Sequence, residues 1–133
     1  MKVLVASAFV AFAFIALAAW HAPGPAVDPT DLIGTWAVDL RPTPDAEPYI
    51  QEFVVTAVDG DSLVGTFYGA PIERGRLNTG WGRVEFAFVT SDLSGPYNHA
   101  GRLVEGRLEG STYATGRGFV LPWRASRADA ERP

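Results

Sequence analysis

The chain contains no cysteine at all. Disulfides, thiolate nucleophiles, thiolate metal sites and a lipid-bearing cysteine are therefore excluded, and an exported form would be held by its core alone. Positive charge is scarce as well: eleven Lys and Arg against fifteen Asp and Glu give a formal charge of −4. No basic stripe is present to neutralise a phosphate backbone, which argues against nucleic acid as a partner. Arg74, Arg76 and Arg83 do cluster, but Glu73 and Glu85 are interleaved with them, the pattern of a solvated strand face. Histidine is nearly missing, with only His21 and His99. A lone imidazole without further ligands at suitable spacing makes no metal site, so no metal and no cofactor is expected. No Gly-x-Ser-x-Gly elbow occurs, and no catalytic residue is assigned. An enzyme using His99 with Asp92 or Glu85 is the weakest reading of the sequence.

Long apolar runs are confined to the start of the chain. Residues 1–26 read as an export signal, expected to be helical: Lys2 is the positive start, Val3 to Trp20 is apolar, and Pro23-Gly24-Pro25-Ala26 ends in small residues. This places the protein in a periplasm or outside the cell. The alternative is an inner-membrane anchor through residues 3–20, since about 18 apolar residues suffice to span a bilayer; the membrane enters only through such an uncleaved leader.

After residue 30 no helix-period stretch of ordinary length appears, while fourteen glycines and ten prolines are scattered through the chain. Residues 27–31 read as a linker, 32–126 as one domain and 127–133 as a flexible tail. Period-two alternation predicts strands over Leu32 to Leu40, Tyr49 to Val58, Ser62 to Gly69, Ile72 to Leu77, Arg83 to Thr90, Tyr97 to Val104, Arg107 to Ala114 and Phe119 to Ala125. Between them lie the proline-dense loop from Pro42 to Pro48 and turns at Asp59-Gly60-Asp61, Gly69-Ala70-Pro71, Asn78 to Gly82, Asp92 to Pro96, Glu105-Gly106 and Thr115 to Gly118. Eight strands on short connections favour sequential antiparallel pairing in an all-β up-and-down barrel. A β-sandwich is the alternative.

In such a barrel the loops alternate between ends. Tight turns share an end with Gly34 and Trp36, which act as a plug; the longer loops share the other, which is the expected mouth. Polar side chains converging there are Tyr49, Tyr68, Tyr97, Asn98, His99 and Arg117, above an apolar floor of Phe53, Phe67, Phe86 and Phe88. These six are the candidate ligand-binding residues.

Gly34-Thr35-Trp36, a proline-containing loop, and Asp61-Ser62-Leu63-Val64-Gly65-Thr66-Phe67-Tyr68 resemble the opening strands of the avidin and streptavidin family; the Gly-x-Trp also resembles the first-strand signature of lipocalins. Both resemblances imply a calycin-like barrel that binds a small molecule at its open end. The biotin contacts are not retained: the position of the ureido-contacting tyrosine falls at Phe67, and the tryptophan cage is missing around Phe86 and His99. Similarity to lipocalins implies a last-strand basic residue across Trp36, for which Arg124 or Arg127 is available. The functional expectation is a small, partly apolar ligand at the mouth. The alternative is a structural or protein-interaction module with a filled barrel, forming a homo-oligomer through outer-face residues such as Val54, Tyr113 and Val120.

Overall fold

A computed structural model describes residues 27–129; the expected signal helix and the last four residues of the expected tail lie outside the described residues. Nine antiparallel strands form one continuous sheet: β1 (Gly34–Asp39), β2 (Ile50–Asp59), β3 (Ser62–Phe67), β4 (Ala70–Pro71), β5 (Glu73–Asn78), β6 (Glu85–Asp92), β7 (Gly95–Val104), β8 (Arg107–Ala114) and β9 (Phe119–Arg127). The spatial order is β4-β3-β2-β1-β9-β8-β7-β6-β5. A single sheet replaces the two sheets of the sandwich alternative.

The strand count is nine rather than the expected eight. Ala70 and Pro71, expected to break the chain, pair with Phe67 and Thr66. A two-residue strand carries no alternation for a sequence to display, and the missing N–H of Pro71 is harmless at a sheet edge. The meander curls until β5 runs on from β4 alongside β3: Ile72 N–H, between β4 and β5, donates to Gly65 O (2.9 Å), and Leu77 N–H of β5 donates to Asp61 O just before β3 (2.7 Å). These bonds make the barrel nearly closed, which leaves little exposed strand edge.

The start of the domain also differs from expectation. Pro29–Leu32 forms one turn of 3-10 helix where a linker and the first strand residue were expected. Asp28 caps it: its carboxylate accepts from Thr30 N–H (2.9 Å) and from the Thr30 hydroxyl (2.6 Å), which favours the ionised form and holds its pKa below the usual carboxylate value. The turn drops Leu32 into the core. At the other end of the domain, Arg127 belongs to β9 rather than to a tail, and Ala128 N–H donates to Thr35 O (3.0 Å).

Inward positions follow the alternation. Register places Trp36, Phe53 and Phe67 side by side on β1, β2 and β3; a second row runs Leu77, Phe86, Gly101, Gly110 and Trp123 across β5 to β9. Two glycines decide this second row. A Cβ on Gly110 would stand 2.5 Å from the Trp123 ring, and one on Gly101 would stand 2.6 Å from Phe86; without side chains, both strands let an aromatic ring lie flat against their backbone. Phe53 contacts Phe67, Phe86 and Phe88 at ring separations of 5.2 to 5.6 Å. The expected floor residues thus fill the barrel with aromatic rings.

At the opposite pole from the longer loops stand Gly34 and Trp36 of β1. Trp36 is fully buried, its indole N–H donates to Leu32 O at 2.8 Å, and the Arg127 guanidinium lies 4.0 Å from the ring centroid. Arg127 also donates to Ile33 O (2.6 Å) and to Asp31 O. Of the two arginines available, the parity of β9 selects Arg127: Arg124 stands on the outer face, paired with Asp39 and Glu109. This end of the barrel is stoppered by the 3-10 turn, the indole and one guanidinium.

Candidate functional site at the wide end

Chain direction puts the ends of β1, β3, β6 and β8 and the starts of β2, β7 and β9 at the pole opposite the Arg127 end. Four of the six candidate residues stand on this rim. They form two separate pairs, because β2 and β3 lie across the barrel from β7 and β8 in the strand order.

Tyr49 precedes β2 and Tyr68 follows β3. Their hydroxyls bond to each other, and the rings meet edge to face at 6.0 Å. That bond raises the Tyr68 pKa above the usual phenol value. Beside them Tyr49 N–H donates to Asp39 Oδ1 (3.3 Å). Arg41 donates to the same carboxylate, chiefly holding the Asp39 pKa low.

On the facing wall, the Arg117 guanidinium carbon sits 4.2 Å from the Tyr97 ring centroid. Its nitrogens donate to Ser94 Oγ (2.9 Å) and to Pro96 O. Ser94 Oγ in turn donates to Asp92 Oδ1 (2.5 Å) and lies 3.1 Å from the Tyr97 hydroxyl; the Ser94 hydrogen bonds keep the Asp92 pKa below the usual carboxylate value. Phe119 completes this wall, edge-on to Tyr97 at 5.9 Å. The β6–β7 hairpin is thereby tied to the turn entering β9.

His99 does not reach the rim. Only 3% of it is exposed; its ring lies between Phe67 (4.4 Å) and Phe88 (4.6 Å, nearly parallel). Burial pushes its pKa down to about 4, so the imidazole is neutral at ordinary pH. Nδ1 lies 2.8 Å from Thr112 Oγ1 and Nε2 lies 2.8 Å from Thr90 Oγ1. Thr112 Oγ1 also accepts from Trp123 Nε1–H at 3.0 Å. One consistent proton order runs Trp123 to Thr112, Thr112 to Nδ1, and Nε2–H to Thr90. Both ring nitrogens are thus occupied by threonines rather than by Asp92, Glu85 or Ser94. Asn98, next to His99, takes the opposite parity and faces outward between Val89 and Tyr113, away from the barrel interior.

No protein-family model, no curated protein and no solved structure matches this chain.

Sequence reasoning missed Thr90, Thr112 and Trp123 as the polar layer of the core, and Phe119 as a rim residue. The signal was available for the threonines: both occupy inward positions, flanked by Phe88 on β6 and by Ala114 on β8, where a hydroxyl requires a partner. Among the described residues no group of three or more His, Cys, Asp or Glu is placed to hold a metal ion.

Proposed function

We propose that this protein is an exported, calycin-like barrel that binds a small, partly apolar molecule at its wide rim, with the interior acting as a rigid scaffold. One observation carries the reading. Of the nine exposed large apolar side chains among the described residues, six stand at or beside this rim, Tyr49, Ile50, Tyr68, Leu93, Phe119 and Val120, while Ile33, Val64 and Trp81 lie elsewhere. Concentrated apolar exposure next to ordered polar groups is the signature of a recognition surface. The Tyr49–Tyr68 and Tyr97–Arg117 pairs flank it with phenol and guanidinium groups able to orient a polar substituent. Because Phe67, Phe88 and His99 already fill the layer beneath, the ligand rests on that floor rather than entering a deep cavity. Export from the cell rests on residues 1–26 of the sequence. The calycin kinship rests on the Trp36–Arg127 stopper and on the resemblance of the first strands.

The test is native mass spectrometry of protein purified from its own host, followed by the same measurement on the Phe119→Ala variant. A bound small molecule lost from the variant supports the reading, and protein that carries nothing in either form removes it. A second reading, a filled barrel serving as an interaction module, is favoured by the continuous ring contacts from Phe53 through Phe86 to Trp123. It predicts the empty result.

A further inference from the structure

The outer face of β2, β1, β9 and β8 carries a pattern that neither the rim nor the core explains. Register aligns two rows of outward side chains across these four strands. The first runs Glu52, Ala37 and Ser126 and is continued by Arg107, one residue beyond the Leu108–Ala125 pair at which the β8–β9 ladder ends; the second runs Ile50, Asp39, Arg124 and Glu109. The charges of the first row, and the two central charges of the second, are antisymmetric about the boundary between β1 and β9. Between the long outer side chains lies an open trough of about 1070 Å³ floored by Ala37 and Ser126.

We infer that this face is the interface of a homodimer, its occupant being a second copy of the same chain. Consider a two-fold axis lying over the β1–β9 boundary, parallel to the strands. It carries Glu52 over Arg107 of the other copy and Arg107 over its Glu52; it likewise carries Asp39 over Arg124 and Arg124 over Asp39. Glu52, Arg107, Asp39 and Arg124 therefore each meet an opposite charge while Glu109 faces Ile50, and each contact occurs twice, as an isologous interface requires. Few surfaces are complementary to themselves in this way, since a patch of one sign repels its own copy.

The profile fits as well as the charge. A barrel wall is convex, so the central strands of two facing walls touch first. Here the centre carries Ala37 and Ser126, which allow close approach, while Glu52 and Arg107 stand about 14 Å apart at three strand spacings and have the length to bridge the widening gap. Glu109, at the end of the second row, is held by Arg102 at 3.2 Å, and Asp39 is held in the same way by Arg41, so Glu52 and Arg107 carry the pairing between copies. The outer-face residues expected from sequence do not share this patch: Tyr113 and Val120 pair with each other near the rim, and Val54 lies toward the stoppered end.

The test is sedimentation equilibrium of the protein as its host exports it, on the natural chain, on Glu52→Arg, on Arg107→Glu and on the variant carrying both changes, with near-ultraviolet circular dichroism to verify folding. A dimer is expected. Each single reversal places like charges against each other at both contacts and should weaken association about tenfold or more; the double reversal restores the pairing and should return association to near the natural value. Raising salt should weaken the natural dimer. A monomer at high micromolar concentration overturns the proposal, as does a dimer indifferent to the single reversals or one not rescued by the double. Recovery of a monomer with an extended peptide bound along the trough also overturns it, and identifies another occupant.

Discussion

Acidification should loosen this barrel through one residue, His99. Its pKa is about 4 in the folded protein because burial disfavours the charged ring, against an ordinary value of about 6.5 once the chain unfolds. Between those two pH values the unfolded chain takes up a proton that the folded chain refuses, so stability rises with pH across the window and falls as pH drops from 6.5 to 4. The gap of some 2.5 pH units at about 1.4 kcal/mol each sets the loss at no more than about 3.5 kcal/mol. That is a large part of what a small domain holds in reserve. Carboxylates contribute in the same direction at lower pH: Asp39 and Asp92 are held below the usual value by hydrogen bonds from Arg41 and Ser94. A difference measurement removes them. Urea unfolding of the natural protein and of His99→Gln, at half-unit steps from pH 4 to 8, gives a stability difference in which the shared carboxylates cancel. Gln cannot titrate and its amide can still reach a threonine hydroxyl. The difference should be constant above pH 7 and shrink steadily below 6.5. A difference that stays flat from pH 7 to 4, or that grows on acidification, would refute the assignment of His99 as a neutral core residue.

Outcomes for four further substitutions follow from the geometry. Gly110→Ala drives a methyl to 2.5 Å from the Trp123 ring and should cost about 1–3 kcal/mol by overpacking, read as a lowered denaturation midpoint with an unchanged m-value. Trp36→Ala should cost about 3–5 kcal/mol, since it empties a fully buried position and strips Arg127 of its ring; Arg127→Ala should cost less, about 1–2 kcal/mol, in thermal unfolding. Arg117→Ala removes the tie between the β6–β7 hairpin and the turn entering β9, and hydrogen exchange should accelerate at residues 93–97 while that of the Trp36 layer is unchanged.

The positions of the eight expected strands were legible in the sequence because burying one face of a strand leaves a period-two trace: Leu63, Gly65 and Phe67 on β3, or Val84, Phe86 and Phe88 before and along β6. The short strand at Ala70-Pro71 and the 3-10 turn at Pro29–Leu32 left no such trace, since two to four residues cannot display a period. The two ends of the barrel were legible for a related reason, as loop alternation in a meander follows from counting strands, and it put Trp36 and Tyr97 at opposite poles. The candidate site was only half legible. Alternation could have set Asn98 outward and His99 inward at once, yet nothing local distinguishes an inward histidine at the mouth from one sealed beneath it. That depends on how far Phe67 and Phe88 reach across from β3 and β6.

By itself, then, the sequence determined which face each strand buries and which loops share a pole, because both are properties of a chain read in order. Tertiary structure alone decided what stands opposite what. Arg127 bonds to Ile33 across 94 residues, His99 is enclosed by three other strands, and Asp39 and Arg124 come side by side only once β9 has closed onto β1. Such juxtapositions are set by the stagger with which the sheet curls on itself, and stagger is a property that no single segment contains.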